Sequence, residues 1–175
     1  MFLLKQKVVY PGHGVAEISK IFERKFGAIT TVFCELKFLN KDMTVMVAVD
    51  KAQEVGIRPL SSTETINDIF ETLIQPARKI SPQELTASNW SRRNKGYQNK
   101  LRNGSLKEIS EIYRDLKHIS KQKELSFGEK SLLSKAETLL AEEISAVENL
   151  EEDKAIGRLR SIFMPVTLSQ YQHAF

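Results

Sequence analysis

The chain has one cysteine and three histidines among its 175 residues, and this scarcity excludes several kinds of protein. A single cysteine, Cys34, excludes an intramolecular disulfide framework and a thiolate metal cluster. Cys34 lies in the alternating run TTVFCELKF, which predicts a buried strand residue. His13, His118 and His173 fall in a predicted turn, a predicted helix and the C-terminal tail, a spacing that does not suit a metal site. We therefore expect no metal.

Long apolar runs and phosphate-binding loops are also missing. No stretch approaches the roughly 18 apolar residues of a membrane-spanning helix, and the N-terminal MFLL is too short for the core of a signal peptide. PGHG (residues 11–14) matches neither GxxxxGK[ST] nor GxGxxG. We expect a soluble cytoplasmic protein with no membrane partner, no cofactor and no catalytic activity.

The first sixty residues have the period of strands. KVVYPGHGVAEI is apolar on both sides of a turn rich in glycine and proline, ITTVFCELKFL alternates, and MTVMVAV is a short apolar run. Four or five short strands in about sixty residues predict a small, strongly bent sheet or barrel. Such a domain often has an exposed edge strand, which is a docking surface for other chains.

The residues that follow have the period of helices. Three capping-box patterns predict helix starts. They are Ser61 with Glu64, Ser105 with Glu108, and Ser126 with Glu129. The predicted fold is therefore α+β, with a β domain at 1–60 and a helical domain at 61–164. We expect the polar segment at 165–175 to be a flexible tail.

Charge is distributed unevenly along the chain. The net charge is only +4, but residues 76–123 carry twelve basic and four acidic side chains, a local net charge of +8. Residues 124–175 have a net charge of −4, and we expect the acidic residues at 142–153 to form a solvated helix face. This asymmetry favours one face that binds a polyanion.

The only tryptophan, Trp90, lies at the start of the most basic segment, ASNWSRRNKGYQNKLRNGS (87–105). The five basic residues of this segment, which has no acidic residue, are Arg92, Arg93, Lys95, Lys100 and Arg102. In minor-groove DNA-binding proteins, basic side chains neutralise phosphates while an apolar wedge uses weakened base stacking. The residues alone equally allow Trp90 to pack inward, with the basic side chains as a solvated face.

Several short motifs, by their order and spacing, resemble the CarD/CdnL family of bacterial RNA-polymerase-binding transcription regulators over about residues 3–160. The motifs are VVYPGHGV, TVMVAV, EVGIRPL, NWSRR, EIYRDL and LSFGEKSLLSKAETLLAEEI. The resemblance implies a Tudor-like β-barrel that docks on the polymerase β subunit and a helical domain that lies on promoter DNA. It also implies that Trp90 wedges into the minor groove at the upstream edge of the melted region and stabilises the open complex. Arg92 and Arg93 would then lie beside the DNA backbone.

For the polymerase contact, the resemblance indicates Arg24, with Lys25 beside it. Another position that is basic in the family is Met46 here, so either an apolar contact replaces the polar one or the polymerase surface has changed with it. We expect a monomer whose partners are the polymerase β subunit and promoter DNA. The alternative is a protein-interaction adaptor for RNA polymerase or a transcription-repair factor, without direct DNA contact. The polymerase-binding module of transcription-repair coupling factors looks similar to this β domain, so the β half alone does not discriminate.

Overall fold

A computed structural model describes residues 2–77, 79–83 and 85–164. The predicted flexible tail at 165–175 lies outside the described residues. A β domain comes first and helices follow, so the expected α+β class is confirmed. Among the described residues, no helix is long and apolar enough to cross a membrane.

The β domain is one antiparallel sheet of five strands. They are β1 (Lys7–Tyr10), β2 (Gly14–Phe26), β3 (Ile29–Phe38), β4 (Thr44–Ala48) and β5 (Arg58–Pro59). The strand order is β4-β3-β2-β1-β5, so β4 and β5 are the edges. Gly12 and Gly14 have φ angles of 71° and 104° in the turn between β1 and β2, a conformation that favours glycine.

One face of the sheet covers a small apolar core. The opposite face is also buried near the start of β2, where Val9 and Val15 are 5% and 1% exposed, and it is exposed farther along β2 and β3. Cys34 is fully buried in that core, and its thiol donates to the carbonyl oxygen of Val47 at 3.5 Å, which confirms its prediction as a buried strand residue.

A bulge interrupts the pairing of β2 with β3 between Ile18 and Lys20. Beyond Phe22 and Phe33, where the pairing with β4 ends, β2 and β3 continue as an exposed two-stranded ribbon. Both strands are longer than the short strands that the sequence predicts.

Among the described residues, six α-helices follow β4, and five of them form the helical domain. They are α1 (Ala52–Val55), α2 (Thr63–Ile74), α3 (Ala87–Asn103), α4 (Leu106–Ser120), α5 (Phe127–Glu148) and α6 (Glu152–Ser161). The apolar residues of α4 recur at helical spacing and are buried along its whole length. The residues of this apolar stripe are Leu106, Ile109, Ile112, Tyr113, Leu116 and Ile119. α4 therefore contributes to the core against which α2, α3, α5 and α6 pack.

Of the three predicted capping boxes, the structure forms only the one at α5. Ser126 accepts from the amide of Glu129, and the carboxylate of Glu129 accepts from the amide of Ser126. α4 does begin after Ser105, but the Ser105 side chain makes no capping hydrogen bond. The box predicted there is wrong, because Glu108 lies instead 3.4 Å from the side-chain amide of Asn103.

The start of α2 is also capped differently from the prediction. Ser62, rather than Ser61, accepts a hydrogen bond from the amide of Thr65 at 3.2 Å. Ser61 is unavailable because both its amide and its hydroxyl donate to Glu143, at 3.0 and 2.7 Å. A long-range contact has thus replaced the local one that the sequence pattern predicts.

Glu143 joins the two halves of the molecule. Arg58 of β5 donates to both of its carboxylate oxygens, at 2.6 and 2.8 Å. The same guanidinium donates to the carbonyl of Gly104, at the end of α3. One arginine therefore holds the last strand, the end of α3 and the middle of α5 together.

Glu142 lies beside it at the same joint. Its Oε2 accepts from the amide of Val15 at 3.1 Å, and Lys41 lies 3.9 Å from Oε1. Burial raises the pKa of this carboxyl, and its contacts with Val15 and Lys41 only partly oppose that effect. The prediction that the acidic segment is a solvated face is therefore wrong for Glu142 and Glu143, which are 4% and 2% exposed.

Candidate nucleic-acid and polymerase interfaces

Trp90 lies in the first turn of α3, on the face that packs against the helical core. Tyr97 and Leu101 continue this face and are buried, 8% and 2% exposed. Trp90 is only half-buried, although its ring contacts the same core. The ring thus fastens the beginning of α3 while part of it remains accessible, which combines features of both interpretations that the sequence allows.

Two neighbours fix the indole in place. A Cβ atom on Gly128 would lie 3.0 Å from Cζ2 of Trp90 and 3.4 Å from its Nε1, so the ring edge packs directly on the first turn of α5. The guanidinium carbon of Arg93 lies 5.7 Å from the ring centroid. The absence of a side chain at Gly128 is therefore what allows the indole to lie this close to α5.

Arg93 is in turn held by a buried carboxylate. Its Nη2 donates to Oε1 of Glu129 at 2.7 Å, while Oε2 accepts from Lys123 at 2.7 Å. Burial alone would raise the pKa of Glu129, but hydrogen bonds from Lys123 and Ser126 outweigh it and hold that pKa below its ordinary value. Glu129 thus stays charged at neutral pH and fixes the arginine beside the indole.

The other basic residues of α3 lie apart from the indole. Arg92, Lys95 and Arg102 are exposed on the outward face of the helix. Among the described residues, neither Arg92 nor Lys95 has a carboxylate within salt-bridge distance. These three side chains form what we call the outward basic stripe.

Lys100 is paired more closely. Its ammonium donates to Glu111 of α4 at 2.6 Å, and the side chain is about one-third exposed. The structure therefore brings together Trp90 and Arg93, places three basic side chains on the outward stripe, and engages Lys100 at the contact with α4.

The sequence interpretation missed the part that α5 plays. Trp90, Arg93 and Lys123 border a surface depression of about 150 Å³ whose floor includes Ser126 and Glu129. The signal was present in LSFGEK (125–130), where the capping glutamate also holds Arg93 and the glycine supports the indole. A capping box explains the helix start alone, so it did not indicate these further contacts.

The predicted polymerase-binding residues lie on the exposed ribbon and on edge strand β4. Phe22 pairs with Phe33 across β2 and β3, with stacked rings 6.0 Å apart. Arg24 lies on the same face, with its guanidinium carbon 5.6 Å from the Phe22 ring. Met46 is 52% exposed and, by the register of β4 with β3, also shares this face.

Lys25 lies on the opposite face of the ribbon, because successive strand residues alternate and Lys25 pairs with Thr30. The structure thus brings Arg24 and Met46 to one face but not Lys25. Phe26 and Ile29, 56% and 68% exposed, extend the shared face to the tip of the ribbon. We call this surface the aromatic face.

An exposed aromatic sheet face joined to a helical domain with an outward basic stripe is an arrangement for binding macromolecules through surfaces. Within the described part of the chain, no cluster of three or more histidine, cysteine or acidic residues could hold a metal ion. The described residues thus present two exposed surfaces, an aromatic face on the sheet and a basic stripe on α3.

Comparison with known proteins specifies the class. Residues 3–61 match the CarD-like/TRCF RID domain and residues 69–160 match the CarD C-terminal domain, so the chain belongs to the CarD family. It is 27% identical over 153 residues to the protein named "Putative transcription factor YdeB" of Bacillus subtilis (strain 168), covering 87% of this chain and 95% of that protein. The β domain is therefore of the RNA-polymerase-interacting type. Transcription factors of this family are non-catalytic, so the expectation that the chain is not an enzyme is confirmed.

Proposed function

We propose that this protein is a monomeric cytoplasmic regulator that docks on the RNA polymerase β subunit and stabilises the promoter open complex. The observation that carries the proposal is the position of Trp90, whose partly buried ring keeps an accessible part at a surface where Gly128 and Arg93 fix it. A rigidly held aromatic ring beside basic side chains suits a DNA junction, because stacking needs orientation and phosphates need charge.

On the DNA side, the exposed part of Trp90 contacts the minor groove at the upstream edge of the melted region. Arg92, Lys95 and Arg102 neutralise phosphates along the outward stripe, whereas Arg93 orients the indole. One aromatic–base contact contributes about 1–3 kcal/mol. That energy shifts an equilibrium between closed and open complexes by roughly five- to 150-fold. Lys100 contributes less to the positive field, because its ammonium is paired with Glu111.

On the polymerase side, the aromatic face and edge strand β4 form the docking surface. Arg24 supplies a charge and Met46 an apolar contact, while Lys25 on the opposite face contributes less. Docking by addition of a strand to the sheet edge tolerates the methionine, since backbone hydrogen bonds rather than side chains provide the affinity of such a contact. Tethering to polymerase raises the local concentration of DNA, so a net charge of +4 is sufficient.

The test is the lifetime of a promoter open complex with purified polymerase and saturating amounts of each variant. We expect the wild type to lengthen the lifetime and Trp90→Ala to lose most of that effect. Lys107→Ala is the matched control, because Lys107 is exposed at the start of α4, just beyond the C-terminal end of α3. That end of α3 lies about 20 Å along α3 from Trp90. Unfolding curves and polymerase affinity are measured for each variant, since Trp90 also contacts the core.

The contact of Trp90 with the helical core favours a second candidate, an adaptor whose helices bind protein rather than DNA. The same experiment separates the two functions. If the wild type and Trp90→Ala both bind polymerase and neither changes the lifetime, the DNA contact is rejected and the adaptor function remains.

A further inference from the structure

Phe127 is the most exposed large apolar side chain among the described residues, at 89% exposure. It is the first residue of α5, immediately after the capping Ser126. Its neighbours on the same side of the helix, Lys130, Ser131 and Ser134, are exposed and polar. Periodicity thus places this aromatic ring on the solvated side of α5, outside both hydrophobic cores.

Phe127 directly precedes Gly128, the residue on which the Trp90 indole packs. Gly128 contacts the Trp90 ring, and the Cα atoms of adjacent residues are about 3.8 Å apart. Two aromatic side chains therefore project from neighbouring positions at one edge of the helical domain, the first half-buried and the second almost fully exposed.

The charges around these rings favour a polyanion. Lys123, in the segment before α5, and Lys130, on α5, flank Phe127, and α3 adds its five basic residues without an acid. Glu124 is the exposed acid of this neighbourhood, and Lys130 pairs with it at 2.8 Å. Glu129 is buried and already engaged by Arg93 and Lys123. Aromatic rings within a cationic surface are the chemistry of nucleic-acid stacking sites.

We propose that Phe127 is a second DNA contact, which stacks on an unpaired base or the adjoining base pair next to Trp90. The inference rests on the proposed function, since it extends the same DNA surface from α3 to α5. Two stacking side chains distribute the contact over neighbouring bases, so each carries part of the stabilisation. Because Phe127 makes no core contact, its removal leaves the fold intact.

The first test compares open-complex lifetimes for Phe127→Ala, Phe127→Tyr and Trp90→Ala at saturating protein. Phe127→Ala shortens the lifetime about fivefold, the lower end of one aromatic–base contact, and Phe127→Tyr retains the wild-type value. Ile74→Ala is the matched control, because Ile74 is a comparably exposed apolar side chain, 73% exposed, on a different helix, α2. If Trp90→Ala loses the effect but Phe127→Ala behaves like wild type, the inference fails while the proposed function stands. If the wild-type protein itself has no effect, both fail.

The second test identifies what the ring contacts. A photo-crosslinking phenylalanine analogue at position 127, in the complex of full-length protein, polymerase and promoter, crosslinks to DNA next to the upstream edge of the melted region. The same analogue at position 74 gives no DNA crosslink. A crosslink from position 127 to a polymerase subunit alone overturns the proposal and makes Phe127 a protein contact.

Discussion

Two buried carboxylates of α5 have pKa values that move in opposite directions. Glu129 receives hydrogen bonds from Arg93, Lys123 and Ser126, which offset its burial and keep its pKa low. Glu142 receives one from the amide of Val15, and its Oε1 has no hydrogen-bond partner among the described residues. Burial therefore dominates and raises the pKa of Glu142. The two pKa values differ because Glu129 receives more hydrogen bonds to oppose its burial, whereas Glu142 is buried with fewer donors.

At Glu142 we predict that replacement by glutamine stabilises the protein. An amide oxygen still accepts from Val15, while a buried charge is removed, and Lys41 is exposed enough to be solvated alone. Glu142→Gln should raise the Tm at pH 7 by about 2–4 °C, which corresponds to about 1 kcal/mol in a chain of this length. Scanning calorimetry measures the shift, with Glu143→Gln as the control that we expect to be destabilised.

The pH dependence of the same variant has a definite sign. Because the folded pKa of Glu142 is raised, the wild type loses stability as pH rises from the ordinary carboxyl range through that pKa. The glutamine variant lacks this loss, so the two stability curves converge at acidic pH and separate toward neutral pH. A variant that is less stable than wild type at pH 7 would contradict this explanation.

At the scale of single elements, the ribbon of β2 and β3 places adjacent side chains on opposite faces. Arg24 and Lys25 are consecutive and both exposed, yet only Arg24 lies on the aromatic face. They are therefore natural controls for each other. A charge reversal at either position changes the net charge of the ribbon equally, so only the face differs.

We predict that Arg24→Glu weakens binding to an isolated polymerase β fragment about tenfold, or about 1.4 kcal/mol. Lys25→Glu should change the affinity much less, because its side chain points away from the docking face. Titrations followed by fluorescence anisotropy compare the two variants at a single ionic strength. Equal weakening by both would mean that the ribbon acts through its overall charge, and the assigned face would then be wrong.

Periodicity could predict the elements of this fold better than their ends and contacts. The α4 stripe and the closing of α3 at Gly104 follow from the local sequence, because helix spacing and glycine chemistry are local properties. The cap of α2 does not follow from the local sequence. Ser61 does not cap the helix because it donates to Glu143, which lies 82 residues away in the chain. Strand alternation predicts that Arg24 and Lys25 lie on opposite faces. The bulge after Ile18 does not follow from alternation, because it depends on how β2 pairs with β3 in the folded sheet.

The candidate DNA site was predictable only in part for the same reason. Composition identified Trp90 and its basic helix, because all of these residues lie in one segment. The contribution of α5 required the fold, since Gly128 and Glu129 meet the indole and Arg93 only after the helices pack. The sequence therefore indicated which residue types suit a DNA contact, and the packing of the helices determines which of these side chains are exposed.

At the scale of the whole molecule, the proposed function requires the joint between the domains to set the position of DNA relative to polymerase. Arg58 and Glu143 connect the last strand to α5 and to the end of α3. A further contact is made by the turn between β1 and β2, because a Cβ on Gly104 would lie 3.0 Å from the Cβ of Pro11. A regulator tethered at one end can stabilise a DNA junction only if this geometry is maintained.

We predict that Arg58→Ala lowers the free energy of unfolding by about 3 kcal/mol, because it leaves the buried Glu143 carboxylate without its charged partner. Lys51→Ala is the control, since it removes an exposed pair with Glu54 that contributes little. Urea unfolding measures both.

At a temperature where the variant is folded, Arg58→Ala should bind the polymerase β fragment normally and yet shorten the open-complex lifetime, because the helical domain is no longer held at its angle. A variant with a wild-type lifetime would show that polymerase and DNA, rather than this joint, set the domain arrangement.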